Sequence, residues 1–210
     1  MDCVKIGKLI LQLRTEQGLT QRQVASRLNI SNKTVSKWEC GLGCPDVSLW
    51  EELANVLGAD ILKLLQGELR PNRPDVGKMD RIRFYVCSAC GNILTSTGTA
   101  SVSCCGRQLR PLVPPVSSSG HAPVVEEVDG AYYATVEHEM RKEHYLLFAA
   151  CVSDDCFWFQ RLYPEQPPAV HFPPMWGGAS FYLYCTKHGL QKYALSDLRK
   201  KGSPLNPLTV

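Results

Sequence analysis

Four of the ten cysteines crowd into one short segment, and this cluster constrains the fold more than any other feature of the chain. Cys87 and Cys90 form a C-x-x-C pair, and Cys104 and Cys105 follow as direct neighbours. In a reducing compartment, clustered thiols more often bind metal or carry redox chemistry than form disulfides. Four thiolates at this spacing predict a tetrahedral site for zinc or a single iron ion. The adjacent pair disfavours an ordinary zinc ribbon, which presents a second C-x-x-C.

The five histidines all lie in the second half of the chain, and four of them fall into three short segments. The segments are GHAPVVEEVDG with His121, VEHEMRKEHYLL with His138 and His144, and YCTKHGL with Cys185 and His188. A lone histidine in any of them would be interpreted as a core or surface residue. Together they predict a metal centre. The fifth histidine, His171, is interpreted as structural.

The order of these motifs resembles the desulfoferrodoxin (superoxide reductase) family over residues 82–193. C-x-x-C-G-N-I…C-C-G resembles its desulforedoxin-like module, and HAPV, HEM…EHY and YCTKHGL resemble its H-V-P-V, H-P-M…E-H-Y and Y-C-N-x-H-G. The resemblance implies a small rubredoxin-like metal module followed by an immunoglobulin-like β-sandwich. It also implies an iron site with an open sixth position, bound equatorially by His121, His138, His144 and His188 and axially by Cys185.

That family reduces superoxide to hydrogen peroxide without releasing oxygen, and an electron donor such as a rubredoxin restores the iron. In the four-cysteine site the resemblance favours iron over zinc, and a purely structural metal remains an alternative to an electron relay. One departure concerns the Glu-Lys that many relatives carry before the first histidine, because Ser119-Gly120 stands there in this chain. Electrostatic steering is therefore expected to be weaker unless Lys187 supplies the cation.

Residues 1–67 are predicted to form a separate five-helix unit. Apolar residues at positions 6, 9, 10 and 13 repeat at helical spacing, and Gly18 closes that helix. Thr20 and Gln23 predict a capping box, and Ser31 predicts the cap of the third helix. The segment LTQRQVASRLNISNKTVSKWECG resembles the helix-turn-helix of the Cro/repressor (XRE) family.

By that resemblance the third helix enters the major groove of double-stranded DNA, and the protein binds paired half-sites as a homodimer. The predicted DNA-contacting residues are Asn32, Lys33, Ser36 and Lys37 at base edges and Thr20 and Gln21 at phosphates. A basic surface helix in a protein-interaction module is the alternative. Cys40 and Cys44 stand where the family has no cysteine; we expect both to pack as small apolar residues, with a redox switch as the alternative.

The predicted organisation is multidomain α plus β: a helix-turn-helix domain (1–67), a linker (68–81), the four-cysteine module (82–112) and a β-sandwich (113–210). The sandwich is predicted from strand-length aromatic runs such as HYLLFAACVS and ASFYLYC. The longest apolar run is too short to span a bilayer, and the N-terminus lacks a signal-peptide pattern, so we expect a cytoplasmic protein without a membrane partner. The net charge of +3 neither demands nor excludes nucleic acid.

Three functions fit these features. The first is an iron-dependent superoxide reductase fused to a sequence-specific DNA-binding domain. The second is a transcriptional regulator whose iron sites sense redox state or iron without physiological turnover. The third is a zinc-stabilised protein-interaction module, which explains four histidines and one cysteine poorly. The complete ligand set favours the enzyme, whereas Ser119-Gly120 and the attached DNA-binding domain favour the sensor.

Overall fold

The computed structural model describes residues 2–69, 71–74, 76, 78–115, 122–175 and 178–198. The chain folds as two compact units, Met1–Pro71 and Asn72–Val210. The first is helical and the second is rich in β-strands. Within the described ranges, none of the helices combines the length and the apolar character needed to cross a membrane.

Two helices of the first unit begin at the caps that the sequence predicts. The helices of this unit are α1 (Cys3–Glu16), α2 (Gln21–Arg27), α3 (Asn32–Glu39), α4 (Trp50–Leu57) and α5 (Ile61–Gln66), with a 3-10 turn at Val47–Leu49 before α4. The predicted capping box is confirmed, since the side chains of Thr20 and Gln23 each bond the other's backbone N–H. Ser31 caps α3 by accepting from the backbone N–H of Thr34, as predicted. Asn29 takes a left-handed conformation with φ 52° and ends the α2 segment.

Helices α1, α2 and α3 meet around one buried charge. The carboxylate of Glu39 accepts from Arg14 Nε at 2.5 Å and from Gln21 Nε2 at 2.7 Å, which ties the three helices together. The hydrogen bond to Glu39 is also the largest cause of a raised pKa for Arg14. Helices α1 and α3 approach closely at Gly7, where an added Cβ would lie 1.9 Å from the carbonyl oxygen of Trp38.

A disulfide joins Cys3, at the start of α1, to Cys44, in the loop after α3. The expectation that both Cys40 and Cys44 pack as small apolar residues is wrong for Cys40, which is free and exposed. Cys44 does pack half-buried against the helical core, but it is also bonded to Cys3. The two backbones meet here because Gly41 lies against Val4, whose Cα would be 3.0 Å from an added Cβ. The partners are 41 residues apart, and cysteine connectivity cannot be deduced from sequence alone.

In its described residues, the second unit consists of antiparallel strands in four small sheets. Strands β1 (Arg83–Val86) and β2 (Ile93–Ser96) form one pair, and β3 (Val102–Cys104) and β4 (Arg107–Leu109) form another. A three-stranded sheet contains β5 (Val124–Val128), β6 (Ala131–Thr135) and β9 (Ala169–Phe172). A four-stranded sheet has the order β11 (Gly189–Ala194), β10 (Ser180–Cys185), β7 (Leu146–Val152) and β8 (Phe157–Arg161), and α6 (Leu195–Leu198) follows.

The four-stranded sheet is covered on both faces, which explains why every residue of β7 is buried. One face packs on the three-stranded sheet in a cluster that includes Ala149, Cys151 and Phe172. The other face packs on β1, where the rings of Phe84 and Phe148 lie 5.3 Å apart. The 3-10 turn Met79–Arg81, inside the segment predicted as a linker, packs Met79 against this second cluster.

Candidate metal centres

The four-cysteine cluster is assembled by two tight turns. Cys87 and Cys90 belong to the turn that follows β1, whereas Cys104 ends β3 and Cys105 begins the turn to β4. Gly91 closes the first turn with φ 68° by donating its N–H to the carbonyl of Cys87 at 2.8 Å. The four sulfur atoms lie within 4.8 Å of one another, so the structure brings all four predicted cysteines together.

The spacing of these sulfurs suits a tetrahedral ion. Cys90 and Cys104 place their sulfurs 3.6 Å apart, and Cys104 and Cys105 place theirs 3.9 Å apart. A tetrahedron with metal–sulfur bonds of about 2.3 Å has sulfur–sulfur edges of roughly 3.8 Å. Asn92 adds a side-chain N–H donor 3.6 Å from the sulfur of Cys104. The group can hold a metal ion, and its geometry suits iron and zinc alike.

The thiols of this cluster differ strongly in acidity. The backbone N–H groups of Ala89 and Cys90 lower the pKa of Cys87 to about 7. The hydrogen bonds that the Cys105 thiol makes with Cys90 and Cys104 favour its protonated form and raise its pKa to about 12. Four close thiols thus share protons, and a bound cation would displace those protons because metal ligation needs thiolates.

A second group of ligand atoms lies beside the four-stranded sheet. One ligand atom from each of His138, His144, Cys185 and His188 lies within 4.8 Å of the others. The sulfur of Cys185 is 3.2 Å from His138 Nε2 and 3.4 Å from His188 Nδ1. The structure thus brings together four of the five residues predicted for the iron site. The fifth, His121, lies outside the described residues, as do Ser119 and Gly120.

The hairpin between β10 and β11 positions Cys185 and His188. Strand β10 ends at Cys185, and Gly189 turns the chain back with φ 74°. The backbone N–H groups of Lys187 and His188 both point at the sulfur of Cys185 from 3.4 Å. Two such donors suit a negatively charged sulfur. The side chain of Lys187 is itself exposed at this turn.

A β-bulge places His144 on the same side as Cys185. The pairing of β7 with β10 shifts by one residue beside Cys185 and leaves Leu147 as the extra residue. Leu147 packs on the same face as Phe148, and Leu146 is thereby returned to the face of Cys185. Since side chains alternate along a strand, His144 also turns to that face. The sequence gives no sign of this bulge because both faces of β7 are apolar.

The two histidines of the HEM…EHY segment are turned toward the sulfur of Cys185 by their contacts with one residue. His144 Nδ1 lies 3.3 Å from a carboxylate oxygen of Glu139, and His138 Nδ1 contacts the backbone carbonyl of Glu139. His144 Nε2 is buried and has no hydrogen-bond partner in the described part of the chain. A buried nitrogen left without a partner beside a thiol and two imidazoles fits a metal ligand.

The charge of Glu139 is stabilised by its neighbours. The hydrogen bond with His144 lowers the pKa of Glu139 most, and the positive charge of Arg141 lowers it further. Lys187 makes a smaller contribution in the same direction. The amino-acid sequence does not single out Glu139, because an acidic side chain within a highly charged segment carries no separate signal.

The predicted DNA-contacting residues lie on the surface of α2 and α3. Asn32, Lys33 and Lys37 are exposed, whereas Ser36 is half-buried. Two predicted phosphate contacts already have partners inside the unit: the hydroxyl of Thr20 caps α2, and the side-chain amide of Gln21 donates to Glu39.

The remaining cysteines and His171 lie away from both ligand groups. Cys151 is buried in β7, and Cys156 is exposed just before β8. His171 lies in β9, where its ring meets that of Tyr133 edge-on at 5.7 Å.

The chain thus contains a helical unit with a capped helix-turn-helix and a β-rich unit with two groups of side chains that could hold metal ions. Comparisons with known proteins agree. Residues 10–64 match the family model described as Helix-turn-helix. The chain is 29% identical over 117 residues to a "Desulfoferrodoxin homolog" from Archaeoglobus fulgidus, which covers 52% of this chain and 94% of that protein. It is 35% identical over 65 residues to "HTH-type transcriptional activator BcrR" from Enterococcus faecalis, covering 31% of this chain and 32% of that protein.

Among solved structures, the superoxide reductase from Treponema pallidum is similar with a TM-score of 0.46 and 20% identity, covering 53% of this chain and 96% of that one. Residues 10–64 thus match a helix-turn-helix model, and the chain is also similar over 117 residues to a "Desulfoferrodoxin homolog". The β-rich unit contains a four-cysteine group and a three-histidine, one-cysteine group.

Proposed function

We propose that this chain is an iron-dependent superoxide reductase joined to a sequence-specific DNA-binding domain. The observation that carries the proposal is the cluster of His138, His144, His188 and Cys185, in which His144 Nε2 is buried and has no partner among the described residues. Four ligand atoms from four side chains converge there, and homology to a "Desulfoferrodoxin homolog" supports iron as the metal.

The residues that would hold the iron are His121, His138, His144 and His188, together with the thiolate of Cys185. When bound, ferrous iron supplies one electron to superoxide. With two protons, that electron converts superoxide to hydrogen peroxide, so no oxygen is released. Imidazoles are neutral ligands and only one thiolate is present, so the filled site keeps a net positive charge that attracts the superoxide anion.

The chain's own residues would guide substrate and protons. Lys187 is exposed beside Cys185, and its ammonium adds to the positive potential near the site. His188 is exposed and His138 is half-buried, so solvent can reach the edge of the cluster and supply both protons. Two backbone N–H groups hold the sulfur of Cys185 in place.

For the four-cysteine group of Cys87, Cys90, Cys104 and Cys105 we propose an iron ion, in preference to zinc. It would belong to a rubredoxin-like module of residues 82–112. An external donor such as a rubredoxin would return the electron spent on each superoxide. The sulfur spacing of 3.6–3.9 Å is compatible with this role.

For the first unit we propose that α3 enters the major groove of double-stranded DNA. Asn32, Lys33, Ser36 and Lys37 would contact base edges, and Thr20 and Gln21 would contact phosphates, with two copies of the chain on paired half-sites. The helix-turn-helix match over residues 10–64 supports this, as does the exposure of both lysines. DNA as a partner favours a cytoplasmic location.

The domain plan we propose has the helix-turn-helix domain at 1–67, a linker at 68–81, the four-cysteine module at 82–112 and an immunoglobulin-like β-sandwich at 113–210. Support for the sandwich comes from the shared cluster of buried residues between the three-stranded and four-stranded antiparallel sheets.

The test is an anaerobic superoxide pulse on reduced, iron-loaded protein. We expect fast oxidation of the iron and one hydrogen peroxide formed for each iron oxidised, because the ligand set leaves one position open. Cys185→Ser should remove the thiolate-to-iron absorption band of the histidine site and the reaction, and should leave the bands of the four-cysteine group. Cys156→Ser, at an exposed cysteine outside both groups, should keep all of them. A filled site that does not react with superoxide would contradict the enzyme.

The second candidate function is a regulator whose iron sites sense redox state or iron. The observation that favours it is the helix-turn-helix domain on the same chain. Its test compares the affinity for a selected operator between ferrous and ferric protein. A large difference, together with a slow superoxide reaction, would favour the sensor. Equal affinities with fast turnover would favour the enzyme.

A further inference from the structure

We infer that Glu139 is a positioning residue that fixes the ring tautomers of His138 and His144, so that a lone pair of each histidine faces the metal. The inference rests on the proposed metal centre. It concerns one residue that is not itself a proposed ligand, lying directly after the first of these two histidines.

The side chain of Glu139 contacts the ring of His144. Its Nδ1 lies 3.3 Å from Oε2 of Glu139, and an ionised carboxylate can only accept hydrogen bonds. A ring that offers Nε2 to a metal carries a single hydrogen, and the acceptor oxygen of Glu139 places that hydrogen on Nδ1. Nε2 is left with a lone pair, and it is the buried nitrogen that has no partner among the described residues. This carboxylate–histidine–metal arrangement fixes the ring and raises its basicity.

The backbone of Glu139 contacts the ring of His138. Its Nδ1 contacts the backbone carbonyl oxygen of Glu139, which also can only accept. Its hydrogen therefore also sits on Nδ1, and its Nε2 is turned toward the sulfur of Cys185 at 3.2 Å. One residue thus orients two ligands, through its side chain for His144 and through its backbone for His138.

Glu139 lies in a loop that is closed by backbone hydrogen bonds. Residues Arg141 and His144 exchange two backbone hydrogen bonds of 3.0 Å, which close the loop between the two histidines. Arg141 Nε also lies 3.9 Å from Oε2 of Glu139. The side chain of His144 is 12% exposed and that of Glu139 is 53% exposed, so the carboxylate covers the outer edge of a largely buried ring.

This geometry makes a selective substitution available. Glu139→Ala removes the partner of His144 and keeps the backbone partner of His138. Glu139→Gln keeps an acceptor oxygen for His144 Nδ1 and should rescue most of the effect. Glu143→Gln is the matched control, because Glu143 is exposed, directly precedes His144 and carries the same charge.

The experiment is a competition titration of the full chain with cobalt(II) against a chelator, following the thiolate-to-cobalt band. Cys185→Ser identifies the signal that belongs to this site, and the four-cysteine group serves as an internal reference. We expect Glu139→Ala to weaken cobalt binding at the histidine site by about 10-fold to 100-fold. Glu139→Gln should lose much less, and Glu143→Gln should match the unchanged protein.

A second readout does not need metal. Nitrogen-15 NMR of the histidine rings in metal-free protein should show the Nδ1–H tautomer for His144, and Glu139→Ala should convert it to a mixture. Equal cobalt affinity for Glu139→Ala and Glu143→Gln would overturn the inference, and so would an unchanged tautomer. If the unchanged protein bound no cobalt at this site, the proposed function would fail, and the tautomer of His144 would still decide the inference.

Discussion

The disulfide between Cys3 and Cys44 should contribute a large share of the stability of the helical unit. It closes a loop with a sequence separation of 41 residues. The chain-entropy relation for such a loop gives an entropy near 13 cal/mol/K, or about 4 kcal/mol at 25 °C. A unit of this size has a total stability on the order of 4–10 kcal/mol, so removing the bond takes away much of it.

The perturbation is the double substitution of Cys3→Ser and Cys44→Ser in the full chain. A loss of about 4 kcal/mol corresponds to a fall in Tm of roughly 15–30 °C for a domain of this size. Hydrogen exchange followed by mass spectrometry reports peptides of the two units separately. It should show faster exchange in α1 and α3, with the strands of the second unit unchanged.

Cys40→Ser is the control, because Cys40 is a free, exposed cysteine at the end of α3. Cys40→Ser should leave the hydrogen-exchange rates of both units unchanged. A loss below about 1 kcal/mol in the double variant would refute the entropy argument, provided that a thiol count shows the bond in the unchanged protein.

Two further predictions concern the DNA surface and the sheet core. Lys33→Ala and Lys37→Ala should each weaken binding to an operator selected from random DNA by about 1–3 kcal/mol in a titration, with the metal content unchanged. Lys8→Ala, on α1, should leave the affinity for the operator unchanged. An equal loss of affinity in all three variants would contradict the placement of α3 in the groove. Burial raises the pKa of the Cys151 thiol from 9.0 to about 12. The contribution of this thiol to the free energy of unfolding is therefore complete below pH 9 and is lost as the pH rises toward 12. Urea unfolding at increasing pH should show this loss of stability for Cys156→Ala but not for Cys151→Ala. The same loss in both variants would contradict the prediction for Cys151.

The parts that sequence predicted well are those set by local chemistry. The capping box of Thr20 and Gln23 needs only residues three apart, and the C-x-x-C pair and the CTKHG turn need only their own short loops. Such signals survive in any tertiary context, because the backbone groups and ligand atoms they satisfy are close along the chain.

The parts that sequence missed depend on contacts between distant segments. The bond of Cys3 to Cys44 requires the start of α1 to meet the chain leaving α3. The bulge at Leu147 lies in a run that is apolar on both faces, so alternation gives no information on register. The role inferred for Glu139 depends on the distance between its side chain and a ring five residues away.

The two candidate metal centres are parts of one packed body, and this decides how substitutions near either should be interpreted. Phe84 lies just before the four-cysteine turn and stacks on Phe148, which also stacks on Tyr184, the neighbour of Cys185. A cavity of about 450 Å³ is lined by Cys87 and Cys90 and also by Tyr184 and Thr186, the two neighbours of Cys185. Because Phe148 adjoins the bulge that orients His144, a change in this aromatic layer would disturb both centres. Loss of metal from both sites after a core substitution would therefore not identify a shared ligand.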